Sequence, residues 1–129
     1  MENTSRVILI TSDSPVKSIQ NTFNLFYPFL HIEFATSSKG VFSFKKHQLT
    51  EETIIGKVVN VAEDIILNIE EERTIAEIEK DFNDLLKLCI QVFRKSGNVW
   101  NEISLTDSWT LKSQNKAGEF ISSEMAVAS

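Results

Sequence analysis

Two histidines, one cysteine and a run of three glutamates are the groups with which this chain could do chemistry. His31 falls on the polar side of an alternating apolar run, and His47 follows two lysines, so both read as surface side chains. Cys89 lies in an apolar stretch. A Cys89–His31 nucleophile pair is arithmetically open, because the strands carrying them can be neighbours. A reactive thiol, however, needs electropositive surroundings that favour the thiolate, and the adjacent Leu88 and Ile90 supply none. Glu70, Glu71 and Glu72 precede a helix, where negative charge is favourable by a few tenths to about 1 kcal/mol. A divalent cation there would need oxygens converging from elsewhere in the fold. No CxxC, HExxH, GxGxxG, GxxxxGK[ST], GxSxG or EF-hand pattern occurs. No catalytic residue, metal ligand set or cofactor is assigned on this basis, and a non-enzymatic protein is expected.

Two patches have the composition of a binding surface. The first is Lys39–His47, where Phe42 and Phe44 interleave with Lys45 and Lys46. Ferredoxin-like RNA-binding domains stack bases on exposed strand aromatics, but the spacing of their motif is missing here. The charge balance also weighs against nucleic acid. The net charge is −5, and between Ala62 and Asp84 there are 9 acids and 2 bases, which repels a polyanion. The second patch runs from Val92 to Trp100 and continues through Thr106–Leu111. Arg94, Lys95 and Asn98 are expected at an exposed hairpin tip, with Trp100 and Trp109 flanking the descent into a last helix. Two Trp within ten residues can build an apolar shelf with a polar rim, the composition of an interface hot spot. The expected function is therefore a protein-interaction module that takes another protein or a second copy. The alternatives are a small-molecule or peptide sensor and a weak nucleic-acid binder.

The words QVFRKSGNVW (91–100) and TDSWTLKSQN (106–115), with the Thr74-Ile75-Ala76-Glu77 cap before them, carry a likeness. In these the chain resembles a group of small uncharacterised bacterial proteins that share such a hairpin and a TDxWTLxxQN-like segment. The likeness covers roughly residues 73–115 and implies no activity and no site residue. Asn101 stands where the group has a larger apolar residue, and Lys112 and Ser113 where acids are common.

The elements that must position these residues repeat. Val16, Ile19, Phe23 and Asn24 recur 59 positions later as Ile75, Ile78, Phe82 and Asn83. Phe26, Tyr27 and Phe29 recur as Leu85, Leu86 and Leu88. The apolar members follow helical spacing, and each stripe lies between two apolar runs with strand character. Ser14 is expected at the first N-cap with Pro15 at the first helical position. Thr74 and Glu77 have capping-box spacing. Val41–Lys46 reads as a short strand, Thr50 or Thr53 as the cap of a short helix with apolar positions Ile54, Ile55, Val58 and Val59, and Val99–Ser104 as the hairpin partner of Leu88–Phe93. Thr106, Asp107 or Ser108 is expected to cap a last helix that includes Trp109. A duplicated βαβ unit of this size most simply gives an α+β, ferredoxin-like βαββαβ sandwich, with an added edge strand and a C-terminal helix.

One domain over residues 1–125 is expected, with internal repeats at 6–34 and 65–93 and a frayed tail at 126–129. A chain of 129 residues can bury roughly two thirds of its unfolded surface without staples. MENTSR carries an acid and no long apolar stretch, so neither a secretion signal nor a membrane helix is expected. The single cysteine suits a reducing, cytoplasmic setting.

Overall fold

A computed structural model describes residues 5–36 and 43–128 of the chain. The order is β1 (Val7–Ile10), α1 (Val16–Phe26), β2 (Leu30–Ala35), α2 (Ser43–Lys46), a single 3-10 turn (Ile55–Lys57), β3 (Ile65–Asn68), α3 (Ile75–Leu86), β4 (Cys89–Ser96), β5 (Val99–Glu102) and α4 (Leu111–Ala128). Strand–helix–strand therefore occurs twice, as β1–α1–β2 and β3–α3–β4.

The architecture is mixed α+β, with two antiparallel sheets in place of the expected single four-stranded one. β1 pairs with β3, and β2, β4 and β5 form a separate three-stranded sheet in that order. Hydrogen-bonding edges explain the split. β4 has β2 on one side and β5 on the other. The second edge of β2 is taken by the segment after α2, through Leu49 N–H to Phe34 O (2.8 Å), Thr36 N–H to His47 O (3.2 Å) and the Ala35–Gln48 bridge. Further along that edge, α1 side chains meet the β2 carbonyls, Gln20 Nε2 donating to Ile32 O (2.8 Å) and Asn24 Nδ2 to Leu30 O (3.1 Å).

α1 and α3 each start against a returning segment. The first N–H groups of a helix have no partner inside it. In α1, the Val16 and Lys17 amides donate to Thr53 O and Glu51 O (2.8 and 2.9 Å). In α3, the Ile75 and Ala76 amides donate to Trp109 O and Asp107 O (3.3 and 2.9 Å). The return bonds match too. Ile55 and Gly56 donate to Ser14 O and Ser12 O, as Leu111 and Lys112 donate to Arg73 O and Glu71 O.

Three expected caps are corrected, the first being Thr50 or Thr53, since the 3-10 turn follows Ile54 with no side-chain cap. Ser14 does not cap α1: its Oγ accepts from Thr11 N (2.9 Å), and extended Pro15 precedes the helix with no side-chain cap. Trp109 is not helical, because its carbonyl serves α3. Thr110 caps α4, accepting from Ser113 N at 3.1 Å. The Thr74–Glu77 capping box forms as expected, at 3.1 and 2.8 Å.

The core lies between the helices and the inner faces of both sheets. Phe23 and Phe82 are fully buried, as are Ile19, Ile78, Tyr27, Ile32, Phe34 and Leu67. Phe34 and Phe82 meet edge to face, 5.2 Å between centroids. Tyr27 Oη donates to Ile69 O at 2.6 Å, which ties α1 to the end of β3. Among the described residues, no helix is long and apolar enough to cross a membrane.

Candidate functional site

The outer face of the three-stranded sheet carries a cluster of polar and aromatic side chains with no core role. Strand alternation sends Leu30, Ile32 and Phe34 inward and leaves His31 and Glu33 half-exposed. His31 stands opposite Phe93, and Lys95 opposite Trp100. The rings cluster, with His31 5.7 Å from Trp100 and 6.1 Å from Phe93 between centroids. With Glu33 and Gln48 they line an open cleft of about 300 Å³.

The polar groups of this cleft are wired to one another. Glu33 accepts from Gln20 Nε2 (3.2 Å) and Gln48 Nε2 (3.1 Å) on one oxygen and meets His31 Nε2 at 2.5 Å on the other. The carboxylate is thus held by the core glutamine, the segment after α2 and its own strand, and it orients the imidazole. Lys95 Nζ sits 5.9 Å over the Trp100 ring, worth roughly 0.5–1 kcal/mol at an exposed site. Lys95 has no carboxylate in ion-pair reach among the described residues.

Arg94 is not on this surface, which corrects its expected place at the hairpin tip. As Lys95's neighbour it points to the opposite face, where Nη1 donates to the Oε1 of fully buried Gln114 (2.9 Å). Gln114 in turn donates to Thr106 O and Oγ1 (2.6 and 2.8 Å). Arg94 therefore anchors α4 to β4. The tip is a two-residue turn, Gly97–Asn98, and Gly97 has φ +67°, the first turn position that favours glycine in a type II′ hairpin. Asn98 is exposed there. Trp109 is 45% exposed in the clamp, and among the described residues no ring contact joins it to Trp100. The expected two-Trp shelf is replaced by Trp100 with His31 and Phe93. Those two residues, with Glu33 and Gln48, are the members that sequence reading missed. His31 and Phe93 were signalled only by alternation combined with the β2–β4 register.

The other candidates fall apart in space. Phe44 is 6% exposed on α2, not on a strand, so its ring cannot stack on a base. Lys45 and Lys46 are exposed, and Phe42 lies outside the described residues. Cys89 pairs with Ala35, four positions along the ribbon from the His31–Phe93 pair, about 13 Å away at the usual strand rise. That distance rules out their acting together. Glu70 and Glu71 hold Arg6, the first by accepting from its amide at 2.8 Å. No cluster of three metal-binding side chains occurs among the described residues.

Glu79, half-buried on α3, has its carboxyl pushed up to about 7, by burial first and then by the Asp107 and Glu102 charges. The folded chain therefore holds this proton more tightly than the unfolded one, in which glutamate titrates near 4.5. Stability falls as pH rises from that value to about 7, and the full penalty is present above it. Glu79→Gln should be the more stable protein by on the order of 1–2 kcal/mol at about pH 8, after discounting for partial exposure. The difference should shrink to nothing as pH falls through the unfolded value. Urea melts of both proteins across that range check this, and a pH-independent difference would contradict it.

Comparison with protein-family models, with curated proteins and with solved structures finds no match for this chain.

Proposed function

We propose that this chain is a non-enzymatic interaction module that docks a polypeptide along the free edge of β5, with Trp100 and Lys95 as anchors. The observation that carries this reading is the state of that edge. All four β5 residues are exposed, and among the described residues the strand pairs with β4 alone. An edge with open amides and carbonyls is a template for another strand unless lysine, proline, a bulge or a covering segment blunts it. Val99-Trp100-Asn101-Glu102 contains no lysine and no proline. The ring cluster beside it supplies the aromatic area that strand-addition sites use for specificity. A duplicated strand–helix–strand scaffold for this site, in a reducing cytoplasmic setting, belongs to the same proposal.

The second reading, a small-molecule or peptide sensor, draws on the ring-lined cleft. Its volume is at the lower end of the usual range for ligand pockets, and its carboxylate is already occupied by three donors.

Glu102→Pro tests the edge. The Glu102 amide faces away from β4, so proline blocks an incoming strand without removing a bond to β4. Trp100→Ala removes the anchor. Both variants should keep the wild-type circular dichroism and cooperative melt and lose the partners retained by the wild-type chain in affinity capture and sedimentation. If both variants fold and keep the wild-type partners and mass, the edge is not the docking site.

A further inference from the structure

We infer that a second copy of this chain fills the β5 edge, pairing antiparallel about a two-fold axis at Asn101. This rests on the edge-docking reading above. Ile103 N–H donates to Val92 O at 2.8 Å, and Asn101 and Val99 stand opposite Arg94 and Ser96. Odd-numbered amides of this strand therefore face β4, and the N–H and C=O groups of Trp100 and Glu102 face the open side. An axis at Asn101 sets Trp100 of one copy opposite Glu102 of the other, twice. Every outward backbone group of β5 is then paired, with four hydrogen bonds across the joint. An axis at Trp100 would leave Glu102 opposite the turn residue Asn98. An axis at Glu102 would set two carboxylates directly opposite, which is destabilising.

Side-chain chemistry selects the same register. Alternation puts Lys95, Trp100 and Glu102 on one face. Lys95 lacks an acid in ion-pair reach, and Glu102 lacks a cation, among the described residues. In the paired sheet, Lys95 and the second copy's Glu102 are separated by two strand spacings, about 10 Å between Cα atoms. Extended lysine and glutamate side chains span that distance across the Trp100 ring. On the other face the two Asn101 amides meet, each a donor and an acceptor. The result is one continuous six-stranded sheet. Its joint is short, at the small end of specific interfaces, so a weak, concentration-dependent dimer is expected.

Charge reversal of the full chain, read by sedimentation equilibrium, tests the pairing. Lys95→Glu and Glu102→Lys should each weaken self-association by about tenfold or more, because each sets like charges together twice. An equimolar mixture of the two variants should restore association, since both charge pairs are then opposite. Restoration on mixing cannot come from a contact within one chain. Separately, Asn101→Cys in a Cys89→Ser background should form an intermolecular disulfide on mild oxidation, and Val99→Cys should not. A wild-type chain that stays monomeric at about 1 millimolar would overturn the proposal. So would reversals without effect, or a mixture no better than its components. If the chain is monomeric yet Glu102→Pro still abolishes capture of another protein, the edge reading stands and only the second copy is removed as its occupant. If Glu102→Pro changes nothing, both fall.

Discussion

Replacing Phe82 with alanine should cost about 3–5 kcal/mol of folding stability, the range for deleting a fully buried phenylalanine and leaving a cavity. Phe82 is 0% exposed and meets Phe34 edge to face. Around it α3 also buries Ile75, Ile78 and Leu86. The Thr74–Glu77 box and the Trp109 and Asp107 carbonyls hold the helix start, so the helix cannot slide to close the hole. Phe23→Ala, at the matching place in α1, should cost a similar amount. A domain of this size is stable by only about 5–15 kcal/mol in all, so either variant should melt far earlier in urea than the parent. A loss below about 1 kcal/mol would mean that the helix faces are wrongly assigned.

Gly56→Ala should cost about 3 kcal/mol, although the change adds only one methyl group. A Cβ built on Gly56 would lie 2.4 Å from Ser12 O and 2.8 Å from Ser12 Cβ. The nearest atom is backbone, so no flexible side chain can swing aside. The Gly56 amide also donates to that same carbonyl at 2.8 Å, so relieving the clash breaks the bond and pulls the returning segment away from the start of α1. Lys112 makes the matching bond in the second half with a side chain in place, and there the distance is 3.1 Å. The first clamp is the tighter one. Thermal melts give the size of the loss, and faster hydrogen exchange at Val16 and Lys17 would locate it at the clamp. A variant as stable as the parent would show that the two backbones do not approach this closely.

Several features that depend only on near neighbours were legible in the chain. The two helical stripes with Phe23 and Phe82 at their centres, the Thr74–Glu77 box and the Gly97–Asn98 turn each depend on residues within a turn or two of one another. Their signals survive any tertiary arrangement. Ser43–Lys46 shows the limit. The Phe42 and Phe44 spacing around it suits a strand, yet so short a run does not exclude a helix, and burial of Phe44 is compatible with both.

The tertiary structure decided which edges were taken. The sequence marks strands but not partners, and β2 with β4 is as consistent with the apolar runs as the four-stranded order is. The 47–49 segment and α1 side chains line the outer edge of β2, β5 takes that of β4, and β1 and β3 pair with each other. Long-range pairing also set the clamps, which link backbone groups more than thirty residues apart through amides that leave no trace in residue type. That is why Ser14 and Trp109 are not where local rules put them. Finally, Arg94 and Lys95 are adjacent in sequence and chemically alike, yet strand parity sends one to Gln114 and the other to Trp100. Composition marked the hairpin as a surface of interest. Only the register of β4 against β2 and β5 determined which of its side chains share a face.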